Sequence, residues 1–385
     1  MNIRERAERL TAWLEGAALP LWRERGFSAG MGFAETIAQD GRATTDDVRA
    51  RVNPRQVYCF AEAGRRGWPG DWRTAVLGGL ERFDRVYRRP DGFYGHLATC
   101  EGSLIDDRFD LYNQAFALLA FAAIAEAMPE RKPEMAARAL SLLEALRARF
   151  AHPKGGFHES EPPAPPLRSN PHMHLFEAAQ AWETVAGVEA GPWRDLADEI
   201  AELCLARFID PAGGFLREFF DLGWQPAEGE AGSVVEPGHQ FEWAWLLARW
   251  ARRRGGRTEA VRRAARLFAV GETHGVDGHR GVAVMTLSDA LVVVDPIARL
   301  WVQTEWLKSA VLLAVLAKGE ERERYLASAE RAGDALAAFI ATSQPGLWHD
   351  KQRADGTFVD EPAPASSFYH IVCAIGELDD RLQEL

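Results

Sequence analysis

One short step recurs along the whole chain. A glycine followed by an aromatic or aliphatic residue stands at Gly32-Phe33, Gly92-Phe93, Gly156-Phe157, Gly214-Phe215, Gly281-Val282 and Gly346-Leu347. The intervals are 60, 64, 58, 67 and 65 residues. Six units of this length fill the 385 residues and leave no room for a second domain, so residues 1–385 are read as a single domain. The fifth unit is the most degenerate.

Some 20 residues after each turn the pattern becomes helical. The segments are PRQVYCFAEAG from Pro54, DLYNQAFALLAFAAIAEAM from Asp110, PHMHLFEAAQAWETV from Pro171, PGHQFEWAWLLARW from Pro237, WVQTEWLKSAVLLAVLA from Trp301 and SSFYHIVCAIGEL from Ser366. Their apolar residues run well round the helix, as expected of helices that are mostly buried. Pro54, Pro171 and Pro237 sit where a missing N–H costs least. Each unit also has a more amphipathic helix, with charge on one face and Leu/Ala on the other, as in RTAVLGGLERFDRVYRR and PEMAARALSLLEALRARF; the N-terminal RERAERLTAWLEGAALPLW supplies the sixth. Six buried and six amphipathic helices predict an all-α (α/α)6 barrel of six inner and six outer helices. An open solenoid is the alternative, but both terminal units keep the repeat pattern and neither has a polar cap.

Polar residues align with the repeat. Arg55, Tyr112, His174, His239, Glu305 and His370 fall 23, 20, 18, 25, 24 and 24 residues after their turns, near the starts of the inner helices. In a closed barrel these starts ring one mouth, and the positive ends of six helix dipoles point toward it, favouring an anionic intermediate. His239 shares a helix face with Glu242, three residues on, which could orient or charge its imidazole. His370 lies between Tyr369 and Ile371, so a satisfied core histidine is its competing reading. His172 and His174, two apart, do not share a face, and no H-E-x-x-H spacing occurs, so no metal site is expected. An arginine such as Arg55 at the start of an apolar helix needs a carboxylate (Glu62, Glu242 or another) or a ligand. Glu305 and Lys308 are expected to pair within their own helix. His96, His152, His158, His274, His279 and His349 are placed in loops and given no chemistry.

Composition removes several function classes. The net charge of −11 argues against nucleic acid as the main partner. No stretch approaches a membrane span, and the amphipathic start lacks an apolar signal core, which makes the cytoplasm the default location. The four cysteines are far apart and fit reduced core thiols. No phosphate-binding glycine loop, dinucleotide fingerprint or nucleophile elbow is present, so no nucleotide cofactor is expected.

The motifs RQVYCFA (55–61), DLYNQAF (110–116), NPHMHLFEA (170–178), EPGHQFEWAWLL (236–247), LWVQTEWLKSA (300–310) and SSFYHIVCAI (366–375) resemble, in order and over nearly the whole chain, those of the N-acylglucosamine 2-epimerase superfamily. The resemblance implies an (α/α)6 barrel, in agreement with the repeat count, and no cofactor. It implies two catalytic histidines, matching His239 and His370. It also implies sugar contacts matching Arg55, Tyr112, Asn170, His174 and Glu242, and Trp306 is placed in the same set. The wording is most similar to the branch that isomerises unphosphorylated mannose.

The expected function is therefore an aldose–ketose isomerase interconverting D-mannose (and related sugars such as lyxose) with D-fructose through an enediolate. The mouth shows no cluster of Lys or Arg in sequence, which favours a neutral sugar. A sugar 2-epimerase is the first alternative, since His239 could serve as a second base. A glycoside hydrolase using Glu242 and Glu305 is the second, and a non-catalytic helical scaffold is the third. The partner is a monosaccharide, and the oligomeric state is open.

Overall fold

A computed structural model describes residues 2–385. It contains twelve long helices in strict alternation. The outer ones are α1 (Ile3–Trp13, continued by a π turn at Leu14–Ala18 into Leu19–Glu24), α3 (Trp72–Tyr87), α5 (Lys132–Phe150), α7 (Gly191–Leu203, continued by a π turn at Cys204–Phe208), α9 (Thr258–Gly275) and α11 (Gly319–Phe339). The inner ones are α2 (Val52–Arg65), α4 (Leu111–Ala127), α6 (Ser169–Ala186), α8 (Pro237–Arg253), α10 (Leu300–Leu316) and α12 (Ala365–Leu382).

Local sequence explains both rings. α4 and α10 are buried on every side, as their continuous apolar runs require. α9 buries Ala260, Ala264, Leu267, Phe268 and Gly271, a stripe of three-to-four spacing, together with Val270 and Gly275, and turns its arginines toward solvent. α1 begins at a capping box, in which the Asn2 side chain accepts from the Glu5 N–H at 2.9 Å and Glu5 accepts from the Asn2 N–H at 3.3 Å. His274 belongs to the last turn of α9, not to a loop as its sequence suggested, because the apolar stripe carries the helix on to Gly275.

Each inner helix packs on the next, and α12 packs back on α2. α1 closes the outer ring against α11 and also meets α12. This is a closed (α/α)6 barrel, which removes the open solenoid.

The recurring glycines have one physical cause. All six adopt positive φ, between 68° and 92°, which a residue with a Cβ seldom tolerates. At Gly346 a Cβ would in addition lie 2.5 Å from the Ala17 carbonyl oxygen. Four of the six turns are then fastened to an inner helix by one side chain. Gln303 Oε1 accepts from the Ala283 N–H and its Nε2 donates to the Ala283 carbonyl, both at 2.8 Å. Gln114 does the same to Tyr94, and Gln240 to Leu216. In the third unit His172 takes this place, accepting from the Phe157 N–H at 3.0 Å and donating from Nδ1 to the Arg168 carbonyl at 2.9 Å. Gln303→Ala would strand both groups of Ala283 in the core and is expected to cost about 2–4 kcal/mol; an unchanged denaturant midpoint would contradict the clamp.

The units also interlock. A two-residue strand lying within four residues before an inner helix pairs, antiparallel, with the segment after the next unit's turn: Val48 with Ala98, Leu167 with Phe220, Val235 with Leu287 and Ala298 with Gln352. Ala363 pairs with Ile37, joining the last unit to the first. Residues that follow one turn are thereby delivered to the mouth of the preceding unit.

Candidate active site

A cavity of about 250 Å³ opens where the inner helices begin. Every inner helix or its lead-in contributes: Arg55, Tyr112, Asn170 with His174, His239 with Glu242, Trp301, and Ser367 with His370. Five separate stretches of chain thus converge with the sixth, as the repeat predicted. A larger hollow of about 550 Å³ lies at the opposite end, around Tyr58, Trp245 and Cys373, but holds none of the histidines.

The two expected catalytic histidines are both buried, and they differ in charge. His239 Nδ1 lies 2.8 Å from Glu218 Oε2 and 3.3 Å from Glu236 Oε2. Burial works against its charge, but Glu218 and Glu236 outweigh it and push the imidazole up to about 10, so it is an imidazolium at neutral pH. Glu236 itself is pushed up to about 7 by burial, aided by Glu218. His370 Nδ1 lies 2.9 Å from Glu305 Oε1. Burial, with the positive charges of Arg55 and Lys308, holds His370 well below its ordinary value, so it is neutral. Trp301 stands between the two rings, with centroids 5.2 Å from His239 and 5.7 Å from His370.

Arg55 has no carboxylate. Glu62, one of its expected partners, is taken by Arg65 and Arg66. Arg55 donates to the Ser366 carbonyl at 3.0 Å and to the Tyr112 hydroxyl, and its guanidinium lies 4.2 Å from the centroid of Phe116. Its charge is left for a ligand. Asn170 lines the cavity, and its Oδ1 is buried without a partner. His174 Nδ1 lies 3.4 Å from Glu177, which also accepts from the Tyr369 hydroxyl. Burial brings His174 down to about 3, so this third imidazole is neutral.

Three sequence readings need correction. Glu242 does not hold His239; its nearest histidine contact is His174 Nδ1 at 3.9 Å. Glu218 and Glu236 hold His239 instead. Both Glu242 oxygens lack protein partners, and burial together with Glu305 raises its carboxyl well above the ordinary range. Trp306 does not reach the cavity: its indole N–H donates to Ser328 on α11 at 2.8 Å. Trp301 takes the place at the cavity, since five residues along a helix turn the side chain by about 140°. The mouth is also not free of cations. Arg49, Arg51 and Arg299 line it above Arg55. Two of them are firmly compensated, Arg49 by Glu35 and Arg299 by Asp350 at 2.8 Å; Arg51 has Asp110 at 3.6 Å.

Sequence reasoning missed Glu218, Asp350 and Trp301. The two acids stand four residues after their turn glycines, so the alignment that exposed the histidines would have exposed them too. Glu305 and Lys308 do pair, at 2.7 Å, but the other Glu305 oxygen serves His370, so Glu305 is not free for hydrolytic chemistry. Two groupings have the spacing for a metal ion, His174 with Glu177 and Glu242, and Glu242 with Glu305 and His370. In the second the ammonium of Lys308 already supplies a cation.

Residues 32–374 match the family model described as N-acylglucosamine 2-epimerase (GlcNAc 2-epimerase). The chain is 60% identical, over the full length of both, to a protein of Rhizobium meliloti (strain 1021) named mannose-6-phosphate isomerase. It is 28% identical to a D-mannose isomerase of Pseudomonas cannabina pv. alisalensis, over 71% of this chain and 72% of that one. The cellobiose 2-epimerase of Bacillus thermoamylovorans B4167 has the same fold, with a TM-score of 0.85 at 18% identity over 97% of this chain and 99% of that one. No helix among the described residues is long and apolar enough to cross a membrane. The chain belongs to the N-acylglucosamine 2-epimerase family and is a sugar isomerase or epimerase.

Proposed function

We propose that this enzyme is an aldose–ketose isomerase that interconverts D-mannose and D-fructose by proton transfer through an enediolate. The observation that carries this reading is the pair of buried histidines, one an imidazolium and one neutral, on either side of Trp301 in a cavity of monosaccharide size. His239 assists opening of the pyranose by protonating the ring oxygen. His370 Nε2, opposite the nitrogen held by Glu305, removes the C2 proton of the open aldehyde. The carbonyl oxygen becomes an enediolate oxygen, and its charge is held by Arg55 and the helix starts. A proton passes from O2 to O1 within the enediolate, and the proton on His370 is then delivered to C1 as C2 becomes the carbonyl, giving the ketose. Asn170, Tyr112 and Glu242 bind hydroxyls and hold the chain in register.

The expected pH dependence follows from the two imidazoles. Activity needs His370 neutral and His239 charged, so the rate is flat through neutral pH and falls as pH rises through about 10. Glu218→Gln removes the main support of the imidazolium and is expected to bring that alkaline limb down toward the ordinary histidine range. A limb that stays in place would separate Glu218 from His239.

A second reading, mannose 6-phosphate, is favoured by Arg49, Arg51 and Arg299 at the mouth and by the name of the Rhizobium relative. The neutral sugar is preferred because Arg49 and Arg299 already hold carboxylates. Parallel incubation with D-mannose and D-mannose 6-phosphate, with product analysis by NMR, tests both. Fructose from mannose supports the proposal. Turnover of the phosphate ester alone replaces the substrate, and glucose in place of fructose replaces isomerisation by epimerisation.

A further inference from the structure

Lys308 is fully buried, yet it does not line the substrate cavity. A charge in such a place must be paired to be tolerated. Its Nζ lies 2.7 Å from Glu305 Oε2 and 4.0 Å from the centroid of the Trp245 ring. The groups that act on it come from several elements: Glu305 on its own helix, Glu242 on α8, Glu177 on α6 and Cys373 on α12. Arg55, on α2, and Arg299, before α10, add positive charge near His370, whose ring is bonded to the same Glu305. Glu305 is thus a bridge, with one oxygen on Lys308 and the other on His370 Nδ1.

The environment makes this bridge conditional. Glu242 and Glu305 are both buried, and with His370 their ligand atoms lie within 4.8 Å of one another. The Glu242 carboxyl is already held well above the ordinary range, and burial pushes Glu305 the same way, so that without the Lys308 cation Glu305 would take up a proton as well. A protonated Glu305 would donate to His370 Nδ1, and the ring proton would move to Nε2, the atom needed as base.

We propose that Lys308 is a positioning residue whose ammonium keeps Glu305 ionised, fixing the ring proton of His370 on Nδ1 and leaving Nε2 as a lone pair toward the sugar. This rests on the reading of His370 as the base.

The test uses ¹⁵N-histidine-labelled enzyme, with the His370 signals assigned from His370→Asn. At pH 7 wild-type His370 is expected to be neutral with its proton on Nδ1. In Lys308→Met it is expected as the Nε2–H tautomer or as imidazolium. The kcat is expected to fall on the order of tenfold to a hundredfold, with KM nearly unchanged and the acid limb moved to higher pH. Adding Lys308→Met to Glu305→Gln is expected to cost little more than Glu305→Gln alone. An unchanged His370 tautomer and titration in folded Lys308→Met overturns the proposal. If that variant does not fold, the wild-type spectrum decides, since a proton on Nε2 overturns it equally. The expected tautomer shift in a protein that turns over no sugar would uphold Lys308's role and remove the isomerase reading instead.

Discussion

Replacing His370 by asparagine is expected to lower kcat by about three to four orders of magnitude, the range lost with a general base, while KM for the sugar changes little. The side chain does no structural work that asparagine would forfeit outright. Its one recorded hydrogen bond is to Glu305, and its ring otherwise meets Trp301 and Tyr369. Turnover is lost because nothing else near Arg55 is both neutral and placed to take the C2 proton. His174 is also neutral, but its ring is wedged against Tyr112 and Phe116. Near-normal turnover by folded His370→Asn would sink the assignment.

His239→Gln is expected to cost about two to four orders of magnitude in kcat, with a different signature. Glutamine can still donate a hydrogen bond, so binding survives, but it cannot deliver a proton to the ring oxygen. The loss should therefore be smaller on the open-chain aldehyde than on the pyranose, and the alkaline limb near 10 should disappear. An epimerase in which His239 is the second base would instead lose C2 exchange from one face only. If His239→Gln still makes fructose at the wild-type rate, the acid role is wrong.

The barrel was legible in sequence because its determinants are local. A left-handed glycine, an apolar run and an amphipathic run each declare themselves within a few residues, and their sixfold recurrence gives the closure. Arg55, Tyr112, His174, His239 and His370 were legible for the same reason, as polar residues 18 to 25 positions after a turn, whereas Glu242 was picked out by its spacing from His239 and by the family resemblance, and Asn170 by the resemblance alone. What escaped depends on neighbours from elsewhere in the ring. Glu218 follows the fourth turn, but the strand pairing that places it joins Phe219 and Phe220 to Arg168 and Leu167 of the third unit. Asp350 follows the sixth turn and holds Arg299 of the fifth. Arg49 and Arg299 lie 250 residues apart, so a mouth rich in arginine could not be read from either one. Trp301 and Trp306 sit on one helix and differ only in the side they face, which the all-round apolar character of α10 conceals. The pairing of Glu305 with Lys308 was visible at its spacing, whereas the use of the second Glu305 oxygen by His370 was not.

The central claim is that a proton leaves C2 for an imidazole that exchanges with solvent, and that the imidazole then protonates C1. Incubation of D-mannose with the enzyme in D2O, followed by NMR to equilibrium, reads this directly. The account predicts fructose carrying deuterium at C1. Fructose that remains free of solvent deuterium, or glucose labelled at C2 with no fructose at all, would contradict it.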